Sequence, residues 1–277
     1  AALGEDEEFH LNDIFALLKN RSFRLIVLLC AGCTKPYLGV KIPFKATWGD
    51  TGISCTDTDV RLSDLRLYMS SVELLDRVGN AQSVELHADI PWQQTDLALI
   101  DLEDGQGPCT GGTADTYAYL AGGVPPGDYT GLRFMVGVPF DRNHANPLSA
   151  AAPLDDPAMH WHWRSGYKFV RAGAATENDG FWIHLGSAGC EGTVRNISGC
   201  KFPNRVVVEL DGFVPNEDAV AIDLKALFDG IDFADGVAGD CSSGPAEPAC
   251  IEPFAALGLD FTTGDQTGRQ RVFAIAR

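Results

Sequence analysis

The chain has 277 residues, 45% of them hydrophobic and 21% charged, a balance that supports a sizeable buried core and excludes global disorder. Thirty glycines and fifteen prolines lie scattered between short apolar runs, which excludes collagen-like and helical-repeat architectures. The formal net charge of -17 repels phosphate backbones and anionic headgroups, so nucleic acid is excluded as a partner.

The first feature along the chain is basic and then apolar: Arg21-Ser-Phe-Arg24 followed by Leu25-Ile-Val-Leu-Leu29. With the small residues Ala31-Gly32 ahead of Cys33, this reads as a bacterial export signal within residues 1–33, and Cys33 is the candidate for lipid attachment. The run is too short to span a bilayer. An acidic stretch, Gly4-Glu-Asp-Glu-Glu8, precedes it. The alternative is an amphipathic helix over 9–29 in the mature protein, with Cys30 and Cys33 as a redox or metal pair.

Beyond residue 33 apolar runs alternate with turn residues almost to the end. The pattern predicts strands over 38–46, 65–75, 83–87, 129–138, 167–171, 181–185, 205–210 and 271–275, with a hairpin turning at Gly79-Asn80. Residues 219–228, with Asn216-Glu-Asp before them and Gly230 after, predict the one helix of the body. No composition shift marks a boundary, so 34–277 is read as one domain, an all-β antiparallel sandwich or open barrel with long disulfide-closed loops and little helix.

Eight cysteines are present. Cys190 with Cys200, and Cys241 with Cys250, are close enough to close turn-rich loops, which leaves Cys55 for Cys109. Proximity alone supports these three pairings. Zinc is the rival reading, but there is no Cys-x-x-Cys pair outside the signal region and the Cys-rich loops lack close histidines. Disulfides imply an oxidising compartment.

No hydrolase, nucleotide-binding or zinc-protease motif is found. The densest unusual segment is Met159-His-Trp-His-Trp-Arg-Ser-Gly-Tyr-Lys-Phe169, with two of the six His and two of the five Trp in four positions. In a regular strand His160 and His162 face one way and Trp161 and Trp163 the other. Two imidazoles so spaced suit Zn or Cu. The bland reading makes both histidines half-exposed and the Trp pair core. His144 and His184 occupy a loop and a strand end, where a hydrogen-bonded structural role is the plain alternative.

The ordered set Trp92-Gln93, Leu102-Glu-Asp-Gly-Gln-Gly-Pro-Cys109, Gly131-Leu-Arg-Phe, Gly137-Val-Pro139, Asn143-His144, Trp161-His-Trp163, Gly166-Tyr-Lys-Phe169, His184-Leu-Gly-Ser-Ala-Gly-Cys190 and Cys200 with Pro203-Asn-Arg205 resembles the MbnP-like family over residues 38–225. The resemblance implies a periplasmic copper-binding protein, encoded beside a di-haem peroxidase of the MauG type that oxidises a tryptophan of the W-x-W motif to kynurenine. The acidic N-terminal stretch and the additional pair Cys241 and Cys250 depart from the family pattern.

An indole N–H is a donor without a usable lone pair, so only ring opening makes tryptophan a ligand, through the aromatic amine it releases. Two imidazoles and that amine suit Cu(I). Strand alternation makes His144 and His184 the expected partners of Trp161 or Trp163 and leaves His160 and His162 in reserve, unless a bulge shifts the alternation. The expectation is therefore an exported, non-enzymatic copper protein of the periplasm, held at the membrane if Cys33 is lipidated. The alternative is a metal-free secreted β-sandwich acting in adhesion or assembly.

Overall fold

The computed structural model describes residues 37–233 and 240–276. The expected export signal, Cys33 included, lies outside the described residues. The first half holds β1 (Leu38–Trp48), β2 (Thr51–Gly52), β3 (Arg61–Asp76), β4 (Ala81–Ser83), β5 (Glu85–Leu86), β6 (Gln93–Gln94), β7 (Leu97–Asp101), β8 (Tyr119–Val124) and β9 (Tyr129–Val136). After a long excursion come β10 (His160–His162), β11 (Gly166–Ala175), β12 (Gly180–Gly186), β13 (Ala188–Thr193), β14 (Asn196–Phe202), β15 (Val206–Asp211) and β16 (Ala219–Asp223). Short helices α1 (Leu224–Leu227) and α2 (Ile251–Ala256) and strand β17 (Phe273–Ala276) complete the chain.

Two sheets pack face to face. The smaller runs β17-β16-β1-β8-β5 with β2 beside β1; the larger, nine-stranded, is organised around β3, which pairs with β11, β7, β9 and β4. The alternation of β15 is regular: Val206, Val208 and Leu210 are buried while Val207, Glu209 and Asp211 are exposed. The sheets meet through the Phe134 ring of β9, edge-on to Phe44 of β1 at 6.0 Å and to Phe273 of β17 at 5.6 Å. Such edge contacts are a favoured aromatic geometry.

The helix expected over 219–228 is corrected. Val220 and Ile222 alternate into the core, and the segment pairs in parallel with residues 44–47 of β1 and antiparallel with β17. Helix starts only at Leu224, where the Asp223 carboxylate accepts the Lys225 N–H as an N-cap. The hairpin at Gly79-Asn80 forms as β3–β4. All three disulfides close as expected: Cys55–Cys109, Cys190–Cys200 and Cys241–Cys250.

Central β3 is buried continuously from Leu62 to Ser70, as a strand covered on both faces must be. Its inner residues Leu65, Leu67 and Met69 join the sandwich core. On the outer face Tyr68 joins a second apolar cluster with Leu97, Leu154, Met159, Tyr167 and Phe169. The lid over that outer face is the excursion between β9 and β11, and it carries His144 and the whole W-x-W segment.

Candidate metal centre

Strand β12 presents two faces. Phe181, Ile183 and Leu185 enter the core, while Trp182, His184 and Gly186 line the outer face. Register places Gly173, Arg171 and Lys168 of β11 beside them, and Asp64 and Arg66 of β3 beside Gly173 and Arg171. The outer face is thus a polar layer. Asp64 holds Arg66 at 2.5 Å and Arg171 at 2.9 Å, and Asp156 of the lid reaches Arg66 at 3.3 Å. Lys168 donates to Ala158 O of the lid at 2.7 Å, and burial with the nearby guanidinium of Arg171 draws its pKa down to about 8. At the far end burial and the neighbouring Glu103 push Asp101 up to about 8.

The lid is tied to β11 by buried Asn143, whose backbone and side-chain oxygens both accept the Tyr167 N–H at 3.2 Å. This fixes His144, whose Nδ1 lies 3.1 Å from Trp163 O. A carbonyl only accepts, so Nδ1 carries the hydrogen and Nε2 keeps its lone pair. That Nε2 lies 3.4 Å from Asn143 Nδ2 and 3.6 Å from Cys200 Sγ. Burial, opposed by the Trp163 contact and reinforced by the charge of Arg205, holds its pKa below the usual histidine value.

Three ligand atoms of His144, Cys190 and Cys200 lie within 4.8 Å of one another. Both sulfurs are committed to a disulfide, so they offer no thiolate and the imidazole is the only metal donor there. The same holds for Cys55 and Cys109 beside Asp104.

Strand β10 departs from the regular alternation read from the sequence. Its register against β11 shifts between His160 and His162, and Trp163 falls in the following turn. His162 is exposed: its Nδ1 accepts the Arg164 N–H at 3.2 Å and its Nε2 lies 3.1 Å from Ser165 Oγ. His160 is half-buried with its ring 4.9 Å from that of Tyr167. The Trp pair is not core, for both rings are half-buried. Trp161 rests on β12, where a Cβ at Gly186 would lie 2.5 Å from its Cζ3. Trp163 has the Arg164 guanidinium 5.0 Å from its ring centre.

Among the described residues, the Nε2 atoms of His160 and His184 are buried without a hydrogen-bond partner. Burial and then the charges of His162, Lys168 and His144 hold His160 below its ordinary pKa. Burial and then Lys168, Arg171 and Arg66 bring His184 down to about 4. Burial thus favours the neutral form of three imidazoles, of which His160 on β10 and His184, two residues from the glycine under Trp161, keep an unpartnered Nε2, while the Nε2 of His144 accepts from the Asn143 amide. His162 is spent on its own turn. Sequence reasoning missed Lys168, Arg171 and Gly186 as parts of the layer; the β12 alternation that exposes His184 was the available signal for Gly186.

The model of the MbnP family matches residues 38–243. Among solved structures, MbnP from Methylosinus trichosporium is 26% identical, with a TM-score of 0.76 over 87% of this chain and 98% of that one. No curated protein matches the sequence. A family match across most of the chain, joined to the same fold in a solved member, establishes that this chain belongs to the MbnP family.

Proposed function

We propose that the protein is an exported, periplasmic, non-enzymatic copper-binding protein whose site lies between β10 and β12. One observation carries the reading: His160 and His184, next to Trp161 along the chain and on the sheet, keep buried Nε2 atoms with no protein partner. A buried imidazole nitrogen left unsatisfied is costly, and a metal ion satisfies it. Among the described residues the ring nitrogens of His144, His160 and His184 do not all lie within 4.8 Å of one another, so the site rests on His160 and His184, and the amine released from Trp161 would be the further donor. The set suits copper, which imidazole ligates well.

Trp161 is the indole best placed for conversion to kynurenine, since it packs on the face of β12 that carries His184 whereas Trp163 lies in a turn. The conversion cleaves the indole C2–C3 bond with two oxygen atoms from two equivalents of peroxide, releasing two waters; hydrolysis then removes C2 as formate and frees the aryl amine. The oxidant implied by the family resemblance is a MauG-like di-haem peroxidase. Bound copper would take the amine and imidazoles as ligands, preferably as Cu(I).

Protein from its native host tests this by metal analysis and peptide mapping. Stoichiometric copper with a kynurenine at Trp161 is expected, and protein made without the peroxidase should bind copper weakly with Trp161 intact. Metal-free native protein with all tryptophans intact overturns the reading and favours an adhesion or assembly module.

A further inference from the structure

Gly186 is the platform on which the Trp161 ring lies, and both of its peptide groups are engaged by side chains. Its N–H donates to Ser243 Oγ at 2.8 Å, and its carbonyl accepts from Asn204 Nδ2 at 2.7 Å. The Ser243 hydroxyl also donates to His184 O at 2.8 Å, so one hydroxyl spans the two outer-face residues of β12. Ser243 is 2% exposed and Asn204 0%.

Both residues adopt left-handed backbone, at φ 68° for Ser243 and 51° for Asn204, a region that non-glycine residues enter at a penalty and hold only where their surroundings enforce it. Asparagine enters this region readily, so the penalty falls on Ser243. Each is enforced from a different direction. Ser243 ends a strap along the free edge of β12: Asp240 accepts the Trp182 N–H, Cys241 N–H donates to Trp182 O, and His184 N–H donates to Cys241 O at 2.8 Å. The Cys241–Cys250 disulfide ties that strap to the start of α2. Asn204 is held by its own N–H on Gly264 O at 3.0 Å.

We infer that Ser243 and Asn204 are positioning residues that lock the Gly186 platform, fix the plane of the Trp161 ring and so make Trp161, not Trp163, the indole presented for oxidation. The chemical half of this inference rests on the function proposed above; the positioning half does not. A loosely seated Trp161 would share oxidation with Trp163, whose ring lies in the turn after β10 with the Arg164 guanidinium 5.0 Å from its centre.

The test uses the full chain with Ser243→Ala and Asn204→Gly, the second of which keeps the left-handed backbone while deleting the amide. In unmodified protein carrying fluorinated tryptophan, the Trp161 resonance should shift or broaden in both variants while that of Trp163 stays, and the Gly186 amide should exchange about tenfold faster in Ser243→Ala, since its buried N–H loses its acceptor. In native-host protein the modified fraction should move from Trp161 toward Trp163. An unchanged Trp161 resonance and unchanged Gly186 exchange, in variants that still unfold cooperatively, overturn the positioning role. Oxidation that stays entirely on Trp161 in both variants overturns the selection role. Absence of any oxidised tryptophan in the wild type overturns the proposed function and the selection role together, while the resonance and exchange data still decide positioning.

Discussion

The two faces of the large sheet are built from the same strands and do opposite things. Inward, β3, β12 and β15 offer Leu65, Leu67, Ile183, Leu185, Val206 and Val208 to the other sheet. Outward, β3, β11 and β12 offer Asp64, Arg66, Lys168, Arg171 and His184 to a lid that also excludes water. The inner face stabilises by removing apolar surface from water. The outer face buries charge, which is tolerated because Asp64 serves two guanidiniums at once and Asp156 reaches Arg66 from the lid. Burial and the neighbouring cations also disfavour the charged imidazole, so the face that buries charge is the one equipped to hold a metal.

The largest effects should come from breaking each face at its centre. Asp64→Ala leaves Arg66 and Arg171 buried without their shared partner, and should destabilise by about 3–5 kcal/mol. Phe134→Ala empties the inner core at its inter-sheet contact and should destabilise by about 3–5 kcal/mol. Denaturant unfolding gives both values. The comparison sharpens in copper titrations, where the Asp64 variant should also lose affinity and the Phe134 variant, while folded, should not. Equal effects on copper would erase the division between the faces.

Next in size is Cys55–Cys109, which closes a long loop and packs with Leu62 in the core between the sheets. Replacing both cysteines with serine should lower stability by roughly 2–4 kcal/mol, measured by thermal or denaturant unfolding. A variant indistinguishable from wild type would show that the loop is held by its hydrogen bonds, those the Glu103 carboxylate accepts from the Gly105 and Thr113 N–H groups and the one Gly111 O accepts from Arg66.

The pH dependence of stability should also originate in the polar layer. Asp101 is pushed up to about 8 in the fold, so the folded state holds a proton the unfolded chain has lost, and stability falls as pH rises from about 4 toward 8. His184 is brought down from 6.5 to about 4, so its contribution is present above pH 6.5 and lost as pH falls through that window to 4. Asp101→Asn should flatten the alkaline limb and His184→Gln the acid limb of unfolding free energy against pH. A profile unaltered by either change would place the titrating groups elsewhere.

The smallest effect is expected at His162, which is exposed and bonded only within its turn. His162→Ala should change stability by less than about 0.5 kcal/mol and leave copper affinity unchanged. His184→Ala and His160→Ala should each weaken copper binding by at least tenfold. Isothermal titration of the three variants compares them directly, and a loss at His162 equal to that at His184 would return the outward imidazole to the site.

Legibility in the sequence followed the same division. Alternation along Val206-Val-Val-Glu-Leu-Asp211 and Phe181-Trp-Ile-His-Leu185 marked inner-face strands directly, because one face meets hydrocarbon and the other does not. Residues 219–223 were misread since their decision was made by pairing with β1, far away in the chain, and the capping carboxylate sits at Asp223 rather than among Asn216-Glu-Asp. The candidate donors His144, His160 and His184 stood out as rare residues. Their sorting did not, because the β10 irregularity and the seating of the lid on Gly186 arise from contacts that no local period encodes.

The parallel pairing of β1 with β16, Phe44 opposite Val220 and Thr47 opposite Asp223, has a kinetic consequence. Strand β1 lies near the start of the described chain and its partner on β16 is some 175 residues further on, so the small sheet closes only after the intervening polypeptide has been made and collapsed. Contacts of such sequence separation slow folding, since loop closure must be met before the contacts reward it. Until β16 and β17 arrive, residues 44–47 present an unpaired strand edge. That edge is the surface through which newly made chains would first join one another.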